Sequence, residues 1–124
     1  MARILVLDDV ADSTLMVKKI LEKQGHAVEV FSDEDEALRF AAAHDLDLAI
    51  LDIKLRKLDG IEVLAELKKL KPRLAAIMLT GFPTKSAAQQ AMHLGAAAYC
   101  AKPIEKKDLE ETVAAVLGKA ASSG

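Results

Sequence analysis

The chain has 124 residues, 52% hydrophobic and 29% charged, ordinary values for one soluble globular domain with a single core and too few residues for two. Lys and Arg number 17 against 19 Asp and Glu, a formal net charge of -2, which leaves no global positive field to hold a nucleic-acid backbone or an anionic membrane. A lone cysteine, Cys100, excludes an internal disulfide, and no stretch supplies the roughly 18 apolar residues of a membrane span.

The opening Met-Ala-Arg-Ile lacks the charged-then-apolar pattern of a secretory signal, so a reducing cytoplasm is the expected location. Ile4 to Leu7 is a continuous apolar run, read as the first strand. Leu15, Met16, Ile20 and Leu21 then form a helical stripe that ends at Gly25, the position favouring a left-handed C-cap. Ala27 to Phe31 alternates around Glu29 and suits an edge strand. Ala37, Leu38 and Ala41 mark a second helix. Leu48 to Leu51 is the third strand, and Ile61, Leu64 and Leu67 mark the third helix. Ala75 to Leu79, then Ala88, Ala91 and Met92, then Ala96 to Ala101, and last Leu109, Val113, Val116 and Leu117 complete the alternation. The continuous runs read as central strands covered on both faces. Residues 1–119 then form one domain, and Ala120 to Gly124 is expected to be a flexible tail or the start of a linker. Right-handed crossovers make this an α/β fold, a doubly wound five-stranded parallel sheet with helices on both faces, strand order 2-1-3-4-5.

The residues that end these strands are polar. Asp8 and Asp9 follow the first, Asp52 the third, Thr80 the fourth and Lys102 the fifth. In a parallel sheet all carboxyl ends lie along one edge, and ligands bind there, in the crevice where the strand order reverses. Three carboxylates crowded within about 5 Å repel one another unless a cation neutralises them. Oxygen ligands without His or Cys favour a hard ion, so Mg²⁺ is expected, with Mn²⁺ as a usable substitute. The metal and Lys102 could then neutralise a phosphoryl group while an Asp acts as nucleophile and Thr80 donates a hydrogen bond.

With these residues in place, the sequence resembles the response-regulator receiver domains of two-component signalling, CheY-like three-layer sandwiches, over essentially its whole length. The motifs that carry the resemblance are Asp8-Asp9, Asp52 with Asp59-Gly60 after it, Thr80-Gly81 and Lys102-Pro103. The resemblance implies a switch rather than an enzyme in the usual sense. Asp52 would accept a phosphoryl group from the phosphohistidine of a sensor histidine kinase or histidine phosphotransfer protein. It implies Asp8 and Asp9 as the acidic pair serving Mg²⁺, the carbonyl of Lys54 as a backbone ligand, and Thr80 and Lys102 on the phosphoryl oxygens. It further implies Tyr99 as a switch residue with alternative rotamers, output through the face of helix 4, strand 5 and helix 5, and a homodimer formed on phosphorylation in some members. No nucleic acid or membrane partner is expected of this domain. Leu55 and Arg56 depart from the family's loop pattern, and the large side chains of Lys54 and Phe82 flank the path of water to Asp52, which predicts a long-lived phosphorylated state.

Blander readings apply to single residues. Asp9 or Asp12 alone reads as a helix N-cap, and Asp59-Gly60 as turn chemistry and a helix start. Lys102-Pro103 suggests a cis bond in this family. His26, His44 and His93 lack ligand spacing and suit packing or surface roles, Cys100 suits a small buried strand residue, and Lys68-Lys69-Lys71 a solvated face. Among other functions, a haloacid-dehalogenase-like phosphatase needs a second Asp two residues beyond its nucleophile, where Val10 and Ala11 stand. A flavodoxin-like nucleotide binder needs a phosphate loop after strand one, which is missing. A degenerate receiver used only for protein binding sits poorly with the intact set of five polar residues.

Overall fold

The computed structural model describes residues 2–53, 59–81 and 83–123. Within them five strands alternate with five helices: β1 (Arg3–Leu7), α1 (Ala11–Lys23), β2 (Ala27–Phe31), α2 (Glu34–Ala43), β3 (Leu48–Leu51), α3 (Gly60–Leu70), β4 (Ala75–Thr80), α4 (Lys85–His93), β5 (Ala98–Ala101) and α5 (Lys106–Ser123). All four strand pairings are parallel and the order is β2-β1-β3-β4-β5. The helical backbone of α5 continues past Lys119, where the sequence reading ends the domain.

Strand alternation explains why the central runs are apolar throughout. Leu5, Leu7, Ala49, Leu51, Ala76 and Met78 face one core, shared with α2, α3 and α4. Ile4, Val6, Leu48, Ile50, Ile77 and Leu79 face the other, shared with α1 and α5. With both faces covered, neither parity can be polar until the strand ends. Each fully buried Leu or Ile contributes about 1.5–3 kcal/mol of transfer free energy, so the register of the sheet is fixed from both sides.

The helix starts follow local chemistry. Asp33 caps α2 by accepting from Glu36 N at 3.0 Å, Asp59 caps α3 by accepting from Ile61 N at 2.7 Å, and Thr84 caps α4 by accepting from Ala87 N at 3.1 Å. Asp59 is therefore the helix start that the sequence suggested. The α1 helix ends at Gly25 as expected, with φ +91 and the His26 N–H donating back to Leu21 O at 3.2 Å.

Four readings are corrected. Leu15 and Met16 are 51% and 43% exposed, and the buried stripe of α1 is Val17, Ile20 and Leu21. Leu15, Met16 and Val17 are consecutive and span more arc than an apolar stripe about 100° wide covers, and burial of Val17 with Ile20 and Leu21 turns Leu15 and Met16 outward. Met92, half exposed beside the fully buried Ala91, turns out in the same way. The fifth strand is shorter and less buried than its apolar run implies. Ala96 and Ala97 complete the turn after Gly95 (φ +94), and β5 lies at the sheet edge with its residues half-buried or exposed. Lys68 is not simply solvated, since its Nζ donates to Leu74 O at 2.7 Å and burial pushes its pKa down.

The start of β1 is held by groups from both neighbouring loops. Ala2 N–H donates to His26 Nδ1 at 3.1 Å and Arg3 N–H donates to Asp47 Oδ2 at 2.8 Å. Burial lowers the His26 pKa, the positive amino terminus lowers it further, and Asp47 partly offsets both. A depressed folded-state pKa means that the unfolded chain binds the proton more readily. The contribution of His26 to stability is therefore complete above the ordinary histidine value of 6.5 and is lost as pH falls through the folded-state value. Thermal melts between pH 7.5 and 5 should show a loss of stability on acidification that His26→Asn makes shallower; an identical slope in the variant contradicts this role.

Candidate functional site

The carboxyl edge of the sheet gathers the polar residues named from the sequence. Asp8 N–H donates to Phe31 O at 3.1 Å and Asp52 N–H to Leu7 O at 3.0 Å, extending the β1 ladder one step beyond its hydrophobic part on both sides. Lys102 N–H donates to Thr80 O at 2.7 Å and does the same for β4 and β5. These ladder bonds fix the backbones from which the side chains project.

Asp8 is 5% exposed, Asp52 6% and Thr80 0%, while Asp9 is half-buried. Carboxylate oxygens of Asp8, Asp9 and Asp52 lie within 4.8 Å of one another. The Lys102 ammonium donates to Asp8 Oδ2 and, at 3.1 Å, to Asp52 Oδ2. Asp8 Oδ1 accepts from Val10 N at 2.9 Å. Both Asp8 oxygens are thus engaged with the protein. The N-cap of α1 is Val10, with no side-chain cap bond, so Asp9 is not the helix cap that a single-residue reading suggests. Its carboxylate belongs to the cluster. The Lys102-Pro103 peptide bond is cis, in agreement with the sequence reading.

One ammonium compensates two of three neighbouring carboxylates, so the cluster keeps net negative charge. Burial pushes the Lys102 pKa down, but hydrogen bonds to Asp8 and Asp52 and the charges of both outweigh it, and the pKa lies above the ordinary lysine value. The stability from a raised cation pKa is fully present below that ordinary value and is lost only as pH rises through the folded-state value. Around neutrality Lys102 therefore keeps its charge.

Strand parity divides the remaining residues. Thr80 has the parity of Ala76 and Met78, which face α2, α3 and α4, and Tyr99 packs against that same core. The Tyr99 hydroxyl accepts from the backbone N–H of Thr84 at 3.2 Å, joining β5 to the cap of α4. Lys54 and Phe82 lie outside the described residues. Sequence reasoning missed a cavity of about 430 Å³ beside Lys102, lined by Ser13, Met16, Leu79, Pro103 and Ile104. Its signal was Met16, assigned inward by the pattern. Cys100 is half-buried, and burial pushes its thiol pKa up despite a hydrogen bond to Thr112.

The donor set is wholly oxygen, clustered and under-compensated, which fits a hard divalent cation rather than zinc. A model of the response regulator receiver domain matches residues 4–114. The chain belongs to this family. As a receiver domain it is 36% identical over 115 residues to the alkaline phosphatase synthesis transcriptional regulatory protein PhoP of Bacillus subtilis, a match covering 93% of this chain and 48% of that one. The chain thus spans about half the length of that curated relative. Among solved structures, a CheY-like receiver domain protein from Methanospirillum hungatei JF-1 is 33% identical with a TM-score of 0.97, covering 100% of this chain and 99% of that one. A response regulator from Burkholderia pseudomallei, solved with a phosphorylated aspartic acid, a calcium ion and citrate, is 31% identical with a TM-score of 0.86 over 99% of this chain and 71% of its own.

Removing the counter-ion tests the electrostatics of this receiver site. Lys102→Met leaves two mostly buried carboxylates without it and should lower unfolding stability by about 1–3 kcal/mol in chelator-containing buffer, discounted from a fully buried pair because the lysine reaches solvent. Urea unfolding measures it, and unchanged stability counts against the cluster.

Proposed function

We propose that this receiver domain is a phosphoacceptor switch in which Asp52 takes a phosphoryl group from the phosphohistidine of a sensor kinase or phosphotransfer protein. The observation that carries the reading is the Lys102 ammonium bridging Asp8 and Asp52 at the sheet rim with Asp9 alongside. Asp8, Asp9 and Asp52, with the carbonyl of Lys54, would hold Mg²⁺, or Mn²⁺ in its place, whose charge when bound offsets the anionic oxygens of the incoming group. An Asp52 oxygen attacks phosphorus, the bond from phosphorus to the donor imidazole breaks, and the imidazole leaves. Lys102 and the Thr80 hydroxyl then hydrogen-bond the phosphoryl oxygens. Water later attacks the acyl phosphate and returns orthophosphate and free Asp52.

Thr80 and Tyr99 supply the route to output. Both belong to the α4 side of the sheet, and the Tyr99 bond to Thr84 ties the β5 edge to the cap of α4. Movement of Thr80 toward a phosphoryl group alters the ground on which that bond stands, and the population of the α4–β5–α5 face shifts toward the packing that favours the contact. That face meets the output partner or, on phosphorylation, a second copy of the chain.

The phosphodonor approaches from the α1 side. Val10, Leu15 and Met16 are exposed apolar residues at the start of α1, and Met16 also lines the cavity beside Lys102, so a docking partner could cover apolar surface there.

Intact-mass measurement after incubation with acetyl phosphate and Mg²⁺ should give a gain of one phosphoryl group that Asp52→Asn and chelator both abolish. Labelling that persists in Asp52→Asn overturns the assignment. Leu15→Asp with Met16→Asp should slow transfer from a phosphohistidine protein about tenfold or more and leave labelling by acetyl phosphate unchanged; equal effects on both donors exclude the α1 surface as the docking site. Acyl phosphate decay should speed up in Lys54→Asn and Phe82→Ala, and decay rates no faster than wild type refute the long-lived state.

A further inference from the structure

The backbone that carries Asp52 is held on two sides. One is the ladder bond from Asp52 N–H to Leu7 O. The other is Gly60, the first residue of α3, whose N–H donates to Ile53 O at 2.7 Å. Gly60 is buried, and a Cβ built on it would lie 1.9 Å from Asp52 O, 2.7 Å from Ile53 Cα and 2.8 Å from Asp52 C. Real Cβ atoms do not approach so closely, and the obstacles are backbone, not the far end of a flexible side chain. At Gly25, Gly81 and Gly118 the same construction meets nothing within 4 Å, and at Gly95 it meets only Lys68 at 3.5 Å. Conformation does not explain the residue either, since the positive-φ glycines are Gly25 and Gly95. Glycine is a poor helix former compared with alanine. Its place at the start of α3 answers to space.

Neither wall can easily retreat. Val63 and Leu64, both 0% exposed, anchor the first turns of α3 in the core, and β3 is paired on both sides. A side chain at position 60 must therefore displace the Asp52–Ile53 peptide. That peptide sets where the Asp52 carboxylate stands against Lys102 Nζ, 3.1 Å away. We infer that Gly60 is a positioning residue for Asp52: its missing side chain lets α3 seat directly on the Asp52–Ile53 peptide and so fixes the carboxylate relative to Asp8, Asp9 and Lys102. The inference rests on the phosphoacceptor reading, and it assigns Gly60 a part in the reaction that a helix start alone does not need. A misplacement of about 1 Å at a reacting group can cost on the order of 100-fold in rate.

The test compares wild type, Gly60→Ala and Leu67→Ala, the last removing buried volume about two turns further along α3. Labelling rates with acetyl phosphate and Mg²⁺ are measured at a temperature where circular dichroism shows all three folded, and Mg²⁺ dissociation constants are measured by calorimetry. Gly60→Ala should label at least about tenfold more slowly and bind Mg²⁺ more weakly, while Leu67→Ala keeps the wild-type values of both despite its lower melting temperature. Should Gly60→Ala fail to fold, Asp59→Ala replaces it; freeing the first turn of α3 from its cap should slow labelling severalfold. A folded Gly60→Ala with wild-type rate and affinity, an equal loss in Leu67→Ala, or a wild-type rate in Asp59→Ala when Gly60→Ala is unfolded overturns the inference. Absence of labelling in wild type overturns the phosphoacceptor reading instead, and the calorimetric comparison then still decides the role of Gly60.

Discussion

Like charges brought together at the rim of a low-dielectric sheet are the constraint on which this molecule turns. Asp8, Asp9 and Asp52 come from two loops separated by a strand, two helices and a further strand, yet their oxygens lie within 4.8 Å. Repulsion among them opposes folding, and the Lys102 ammonium, delivered by the last strand, offsets part of it. The remainder is a standing preference for an additional cation. An arrangement that costs stability and is retained belongs to function rather than to scaffolding.

The scaffold makes that arrangement rigid. Two cores, one on each face, pin β1, β3 and β4 in register, and the ladder continues one residue past the apolar part of each strand. Parity then separates roles without any further device. Thr80 and Tyr99 share the face covered by α2, α3 and α4, whereas Lys102 follows Ala98 and Cys100 in the alternation that faces α1 and α5. Chemistry at Asp52 and the exposed apolar residues of α1 lie toward one side of the sheet. The Tyr99 bond to the α4 cap lies on the other. Thr80, fully buried at the rim, stands with Tyr99 on that second side.

Sequence alone carried the architecture because a parallel sheet covered twice demands apolar runs, and nothing else in a chain of this length explains five of them. It carried the rim residues because each is the first polar group after such a run. What it did not carry has physical reasons. The outward turn of Leu15 and Met16 is invisible to a pattern in which Val17 is equally apolar, since only packing chooses among consecutive hydrophobic residues. The exposure of β5 follows from its position at the edge, a property of the whole sheet and not of Ala98 to Ala101. Gly60 read as a turn residue because the collision its side chain would make is with Asp52, eight positions back and brought close only by the packing of α3 on β3. The bond between Tyr99 and Thr84 likewise depends on where α4 begins relative to β5.

The central claim is that Asp8, Asp9 and Asp52 act as one cation-seeking unit with Lys102 as its internal counter-ion. Carboxyl-carbon and lysine side-chain NMR during a Mg²⁺ titration addresses it most directly. The account predicts that these three carboxyl signals and the Lys102 signal move together and saturate with a single midpoint, while the capping carboxylates Asp33 and Asp59 stay in place. Three rim signals that remain still, or that drift without saturating alongside the capping aspartates, would contradict it.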